Sequence, residues 1–177
     1  MLDPRRAHRI LWGKRCQICA QPLTDRVVLF IRSADYLHGL TKEPGSHPEC
    51  GHYARRACPM LSSQQRHYHA NPSVRFARCD DPDCECRFWR PRETDPRDPP
   101  NDGRPAEAWY EAWIDIADYE VIEDPGTETR APAVGIKLEG VRFLRLRKVR
   151  DSAAPAVQGR TPEALDQLII AKTLLGF

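Results

Sequence analysis

Long apolar runs are missing from this 177-residue chain, and so are the commonest signatures of nucleotide and hydrolase chemistry. No apolar stretch exceeds a few residues, which excludes a membrane-spanning helix. The N-terminus, MLDPRRAHRILWGK, is basic but has no apolar h-region, so no signal peptide is expected. There is no G-x-x-x-x-G-K-[ST], no G-x-G-x-x-G and no G-x-S-x-G, which argues against an NTPase, a dinucleotide enzyme and a serine hydrolase. Lysine is scarce, 5 residues against 22 arginines, a bias that suggests a high-GC genome and carries no mechanistic information. Neither an internal repeat nor a heptad is present.

What the chain does have is proline, glycine and cysteine. Sixteen prolines and ten glycines make it loop-rich, and its first half holds little core-forming material. Seven cysteines without a secretion signal point to a reducing, cytoplasmic compartment, where grouped thiols mean metal more often than disulfides. The odd count agrees, since pairing alone would leave one thiol over.

The net charge of +2 conceals a pattern. Residues 1–92 carry +7, residues 93–135 carry −9 and residues 136–177 carry +4. A basic front attracts phosphate backbones. The acidic middle can equally neutralise it within the molecule, and a zinc ion held by three thiolates adds about −1.

Periodicity and turn residues predict a short helix over residues 4–14, opened by Asp3 and Pro4, and a strand at 26–32, RVVLFIR. SADYLHGL reads as one or two helical turns stopped by Gly39. A helix from His47 to about Ala57, capped by Ser46 and stopped by Pro59, follows. PSVRFARC reads as another short strand. Residues 91–105 hold five prolines among charged residues and form the best boundary in the sequence. Three parts are therefore expected: a zinc-binding module over 1–92, a linker or loop over 93–105, and a small α+β part over 106–177. In the last part PAEAWYEAW suggests a helix start, with Trp109 and Trp113 one turn apart. IDIADYEVIED and AVGIKLEGVRFLRLRKVR read as strands, the second long and bent at Gly140. A final helix opens at Thr161-Pro162-Glu163.

The chemistry concentrates in two cysteine groups. Cys16 and Cys19 form a C-x-x-C turn, which places two sulfurs on one ion. Twenty-seven residues later His47 and Cys50 stand at i and i+3 in the first turn of the expected helix, where the helix N-terminus favours thiolate. With four protein ligands such a zinc site is closed and structural. His52 or Cys58 could replace His47. The order of knuckle, strand and helix start, here C-x2-C-x27-H-x2-C, resembles treble-clef zinc fingers.

The second group is CDDPDCEC, with Cys79, Cys84 and Cys86 in a tight turn. Its fourth ligand would come from Cys58, His67 or His69. Four surrounding carboxylates disfavour bare thiolates there and favour a cation. Two zinc ions are therefore expected, an iron–sulfur cluster or unligated thiols being the competing readings of the second group. The whole pattern, CxxC, HPxC, ACPM and CDxxCxC followed by Trp89, resembles a group of uncharacterised, mainly actinobacterial zinc-knuckle proteins over roughly residues 9–90. That resemblance implies metal binding and no particular activity.

Two enzyme readings compete. His47-Pro48-Glu49 followed by Cys79 and Cys84 is similar to the zinc deaminase arrangement, but Arg78 stands where that pattern has proline, and Cys16 and Cys19 go unexplained. An HNH-type nuclease also uses a treble clef, yet no Asp-His pair with the expected asparagines is present, only Asn71 and Asn101. No catalytic residue is assigned. Against these stands a non-enzymatic module. Arg15, Arg55, Arg56, Arg66 and other arginines of the front half, interspersed with His67, Tyr68, Phe76, Phe88 and Trp89, suit a nucleic acid; otherwise they form a solvated face or pair with the acidic middle. Trp109, Tyr110, Trp113, Ile114 and the C-terminal LIIAKTLLGF could serve a protein partner instead. The expectation is an α+β, zinc-stapled interaction module with a small mixed sheet, flanking helices, and nucleic acid or protein as partner.

Overall fold

A computed structural model of the chain describes residues 9–68, 103–154 and 163–175. Residues 9–12 are helical (α1) and end in a turn at Gly13 and Lys14, in accord with the expected N-terminal helix where it is described. Strand β1 (Arg26–Ile31) follows the C-x-x-C turn. Five of its six residues are buried, so it lies covered on both faces, which is why RVVLFI shows no polar alternation. Helix α2 (Ser33–His38) starts where the backbone N–H of Arg32 donates to Asp35 Oδ2 at 2.8 Å. It stops at Gly39, whose φ of +72° is the left-handed conformation that glycine adopts without penalty. Strand β2 (Leu40–Thr41) and helix α3 (Pro48–Ala57) complete the first part.

The second part contributes β3 (Trp109–Asp115), a 3-10 turn (Ile116–Asp118), β4 (Val121–Asp124), β5 (Ala133–Lys137), β6 (Arg145–Arg150) and α4 (Ala164–Leu175). Among the described residues, two three-stranded antiparallel sheets result, in the orders β1-β3-β6 and β2-β5-β4. The fold is α+β, as expected, but the single mixed sheet is replaced by these two antiparallel ones. Pairing crosses the proline-rich segment in both sheets, because β1 lies beside β3 and β2 beside β5.

Three local expectations are corrected. The Trp109–Trp113 stretch is the central strand of the first sheet and not a helix start. A spacing of four puts two side chains on one face of either element, and burial on both sides favours the strand. The long stretch from Ala133 to Arg150 is two strands in different sheets, divided at a turn where Gly140 has φ +73°. The cap of α3 is His47, one residue beyond Ser46, and the buried Ser46 hydroxyl makes no hydrogen bond. The expected strand PSVRFARC lies outside the described residues.

The first sheet sorts its side chains by alternation. One face presents Val27, Leu29 and Ile31 of β1 with Tyr110, Ala112 and Ile114 of β3, and packs with Tyr119, Ile136, Leu138 and Leu165 in the main core. The other presents Val28 and Phe30 with Trp109, and there Ala54 of α3 and Leu61 close a second, smaller cluster. Arg150, at the end of β6, is buried and donates to the carbonyls of Met60 and Gln65 at 2.7 and 2.9 Å. It ties the segment after α3 to the sheet.

Candidate metal centre

Backbone hydrogen bonds shape the first pair of ligands. The Cys16 N–H donates to Gln21 O at 2.8 Å, and the Ala20 N–H donates to Cys16 O at 2.9 Å. An isolated bridge between Arg15 and Pro22 closes the loop, and Ala20 takes φ +60° to make the turn. Cys16 is thereby buried while Cys19 stays exposed.

The second pair is carried to this loop by contacts that need small residues. Ser46 exchanges two backbone hydrogen bonds with Val28, at 2.8 and 2.9 Å, which lays the start of α3 along β1. Just before it, Gly45 accepts from the Gln17 N–H at 3.0 Å and packs on Val27 and Tyr119, where a side chain would collide with both. In the first turn of the helix, a Cβ on Gly51 would come within 2.9 Å of Val28 Cγ1. The knuckle and the helix start are thus held together by β1 and Tyr119, not by the ligands alone. Pro48 occupies the first helical position, so Cys50 falls at the third, with its sulfur in the first turn.

Four ligand atoms converge as a result. One from each of Cys16, Cys19, His47 and Cys50 lies within 4.8 Å of all the others. Four donors around a tetrahedral zinc at 2.0–2.3 Å would be roughly 3.3–3.8 Å apart, so the cluster needs only a modest contraction to close on an ion. The His47 ring is already oriented for it. Its Nε2 lies 2.8 Å from the carbonyl of Pro22, which can only accept, so Nε2 carries the proton. That leaves the Nδ1 lone pair directed at the cluster, 3.4 Å from Cys19 Sγ. A carbonyl behind a ligating histidine is the usual second partner that fixes its tautomer.

The electrostatics also fit a cation. Burial opposes ionisation of Cys16, but backbone N–H groups of Cys19, His47 and Ile18, with the Cys19 side chain, outweigh it and lower the thiol from 9.0 to about 7. Cys50 is pushed up to about 12 by burial and by the sulfurs of Cys16 and Cys19 beside it. Three sulfurs this close cannot all ionise unless a positive charge sits among them. Three soft thiolates and one imidazole make a donor set of the kind found in structural zinc sites.

The other described candidates lie apart from this group. His52, the proposed substitute for His47, is exposed on α3 near Arg55. Cys58 ends α3 at the far side and packs with the smaller core cluster. His67 is exposed. His69, Cys79, Cys84 and Cys86, the other proposed ligands of a second ion, lie outside the described residues. Two supporting features had no sequence signal: the Pro22 carbonyl, which any residue could supply, and Tyr119, whose hydroxyl accepts from the Gly45 N–H at 3.4 Å across 74 positions.

Another polar group is equally unannounced. Glu111, in the middle of β3, is buried and faces the α3 side of the sheet. It accepts from Arg147 at 2.6 Å and from the Trp113 indole N–H at 2.7 Å. Burial works against its ionisation, but these two hydrogen bonds and the charges of Arg147 and Arg55 hold it below the ordinary carboxyl range.

No protein-family model, no curated protein and no solved structure matches the chain.

Proposed function

We propose that Cys16, Cys19, His47 and Cys50 bind one zinc ion as a closed structural site, and that the chain is a non-enzymatic, zinc-stapled interaction module of treble-clef type. The observation that carries this is the convergence of the four ligand atoms from two distant segments, with His47 already in the metal-binding tautomer. Four protein ligands complete a tetrahedral shell, so no position is left for a water nucleophile. The knuckle, the strand that follows and the ligand pair at a helix start support the treble-clef reading, with α2 and β2 inserted between β1 and the helix. A second zinc at Cys79, Cys84 and Cys86, completed by Cys58 or His69, remains part of the proposal.

The deaminase alternative needs His47 to share its ion with Cys79 and Cys84. Among the described residues, the sulfurs grouped with His47 are those of Cys16, Cys19 and Cys50, and with it they already make up a four-ligand set, which favours the closed site. Glu49 is exposed and stands 4.0 Å from His47 Nδ1, outside hydrogen-bonding range. No described helix is long and apolar enough to cross a membrane, and the partner is proposed to be a nucleic acid or a protein.

Cobalt substitution tests the closed site. The cobalt-loaded chain is expected to show a tetrahedral thiolate spectrum that added azide or cyanide leaves unchanged, and Glu49→Gln should leave it unchanged too. A spectrum that shifts on adding either anion would mean an open coordination position and would return the enzyme readings.

A further inference from the structure

The face of the first sheet that carries α3 is only partly covered by it. In register, Val28 of β1, Trp113 of β3 and Arg145 of β6 stand side by side, and Phe30, Glu111 and Arg147 form the next row. α3 closes over the β1 end of these rows, against Val28 and Phe30. At the β6 end Arg145 is exposed, its guanidinium 5.8 Å from the centre of the Trp113 ring. Trp113 is itself only partly buried, and its indole N–H is fixed on Glu111.

The charges on this surface do not balance. Arg55 approaches from α3 and Arg145 and Arg147 from β6; among the described residues, the β3 carboxylates on this face are Glu111, buried beneath them, and Asp115, whose side chain accepts from the Ala117 N–H. Arg147 uses one nitrogen on Glu111, while its buried Nε has no hydrogen-bond partner. Among the described residues, Arg145 has no hydrogen bond or ion pair, and the only hydrogen-bond contact of Arg55 is a long one to His52 at 3.5 Å. An immobilised, half-open indole flanked by guanidiniums with spare donors is suited to a chain of phosphates bearing planar groups. Arginine forks bind phosphate, and an aromatic surface stacks any base.

We infer that the surface formed by Trp113, Arg145, Arg147 and Arg55 binds single-stranded nucleic acid. A single strand fits better than a duplex, because only unpaired bases offer a free ring face to Trp113. This rests on the zinc-module reading, since the metal site fixes the start of α3 and so the placement of Arg55.

The test uses the full zinc-loaded chain and a fluorescein-labelled oligothymidylate, with anisotropy read between 50 and 200 mM salt. Binding that weakens with salt is expected. Arg55→Gln combined with Arg145→Gln should weaken it about tenfold and reduce the log–log salt slope by about 1.4, from two lost phosphate contacts. Neither residue is buried, and an unchanged thermal melt will show that the fold survives. Lys137→Gln, on the other sheet, should bind like the parent. No binding, unaltered binding by the double variant, or equally effective competition by a duplex or by polyglutamate would each overturn the inference. Zinc content measured on the same sample separates the two claims: a zinc-loaded chain that fails to bind refutes this inference alone, whereas a folded chain without zinc refutes the metal reading beneath it.

Discussion

Glu111 shows what a single residue contributes to this fold. Its side chain is 2 % exposed, yet it is ionised, because Arg147 and Trp113 both donate to it. Glu111→Gln keeps the shape and removes the charge, leaving Arg147, about one-third exposed, to rehydrate in part. A loss of about 1.5–3 kcal/mol is expected, the range for a hydrogen bond to a charged partner, measured by urea unfolding. The pH dependence has a definite sign. The folded carboxyl is held below its ordinary value of 4.5, so its contribution is present above that value and is lost as pH falls through the folded pKa. The difference between parent and variant should therefore be constant at neutral pH and shrink in the acid range; a difference that grows on acidification would contradict the ionised pair. Sequence gave no hint of this residue, since a glutamate between two tryptophans fits a helix surface as well as a sheet interior. The proposed metal ligands were the opposite case. Sulfur and imidazole at C-x2-C and H-x2-C spacing announce themselves, because few other arrangements serve both pairs.

At the scale of elements, the start of α3 is positioned by close packing. Alanine is normally better than glycine inside a helix by about 1 kcal/mol. At position 51 the order should reverse, because the new methyl would press on Val28. Gly51→Ala is expected to destabilise by about 1–2 kcal/mol, and Val28→Ala in the same chain should recover part of that loss. Thermal or denaturant melts of the two single variants and the double variant give the coupling; strict additivity would contradict the contact. The elements legible in sequence were those with one dominant local signal: the unbroken apolar run of β1, Gly39 at the end of α2, and Pro59 after α3. β3 was misread because Trp109 and Trp113 fit both a helix turn and a strand face. Only its partners on both sides, one 85 positions earlier and one about 35 later, settle the choice.

For the whole molecule, the proposed metal site and the main core are parts of one structure. Cys16 belongs to the main core with Leu11, Leu23 and Tyr119, and Cys50 packs against it. Losing the ion should therefore disturb more than a surface loop. Structural zinc sites in small peptides contribute about 10–16 kcal/mol of apparent binding energy, comparable with the whole stability of a typical domain. Treatment with a strong chelator is expected to lower the melting temperature steeply and broaden the transition, and restored zinc should reverse it. An unchanged melt in chelator would mean that hydrophobic burial alone holds the front of the chain. Global arrangement was the least legible level of the sequence. The proline-rich stretch reads as a boundary, while the sheets are built by strands from either side of it, and pairing over such separations leaves no local mark.

The most direct test counts metal ions by native mass spectrometry in the parent chain and in the Cys16→Ser/Cys50→Ser double variant. The account predicts that the variant carries one zinc fewer than the parent, whatever the other cysteines bind. The same zinc count in both proteins, or a parent free of zinc, would contradict it.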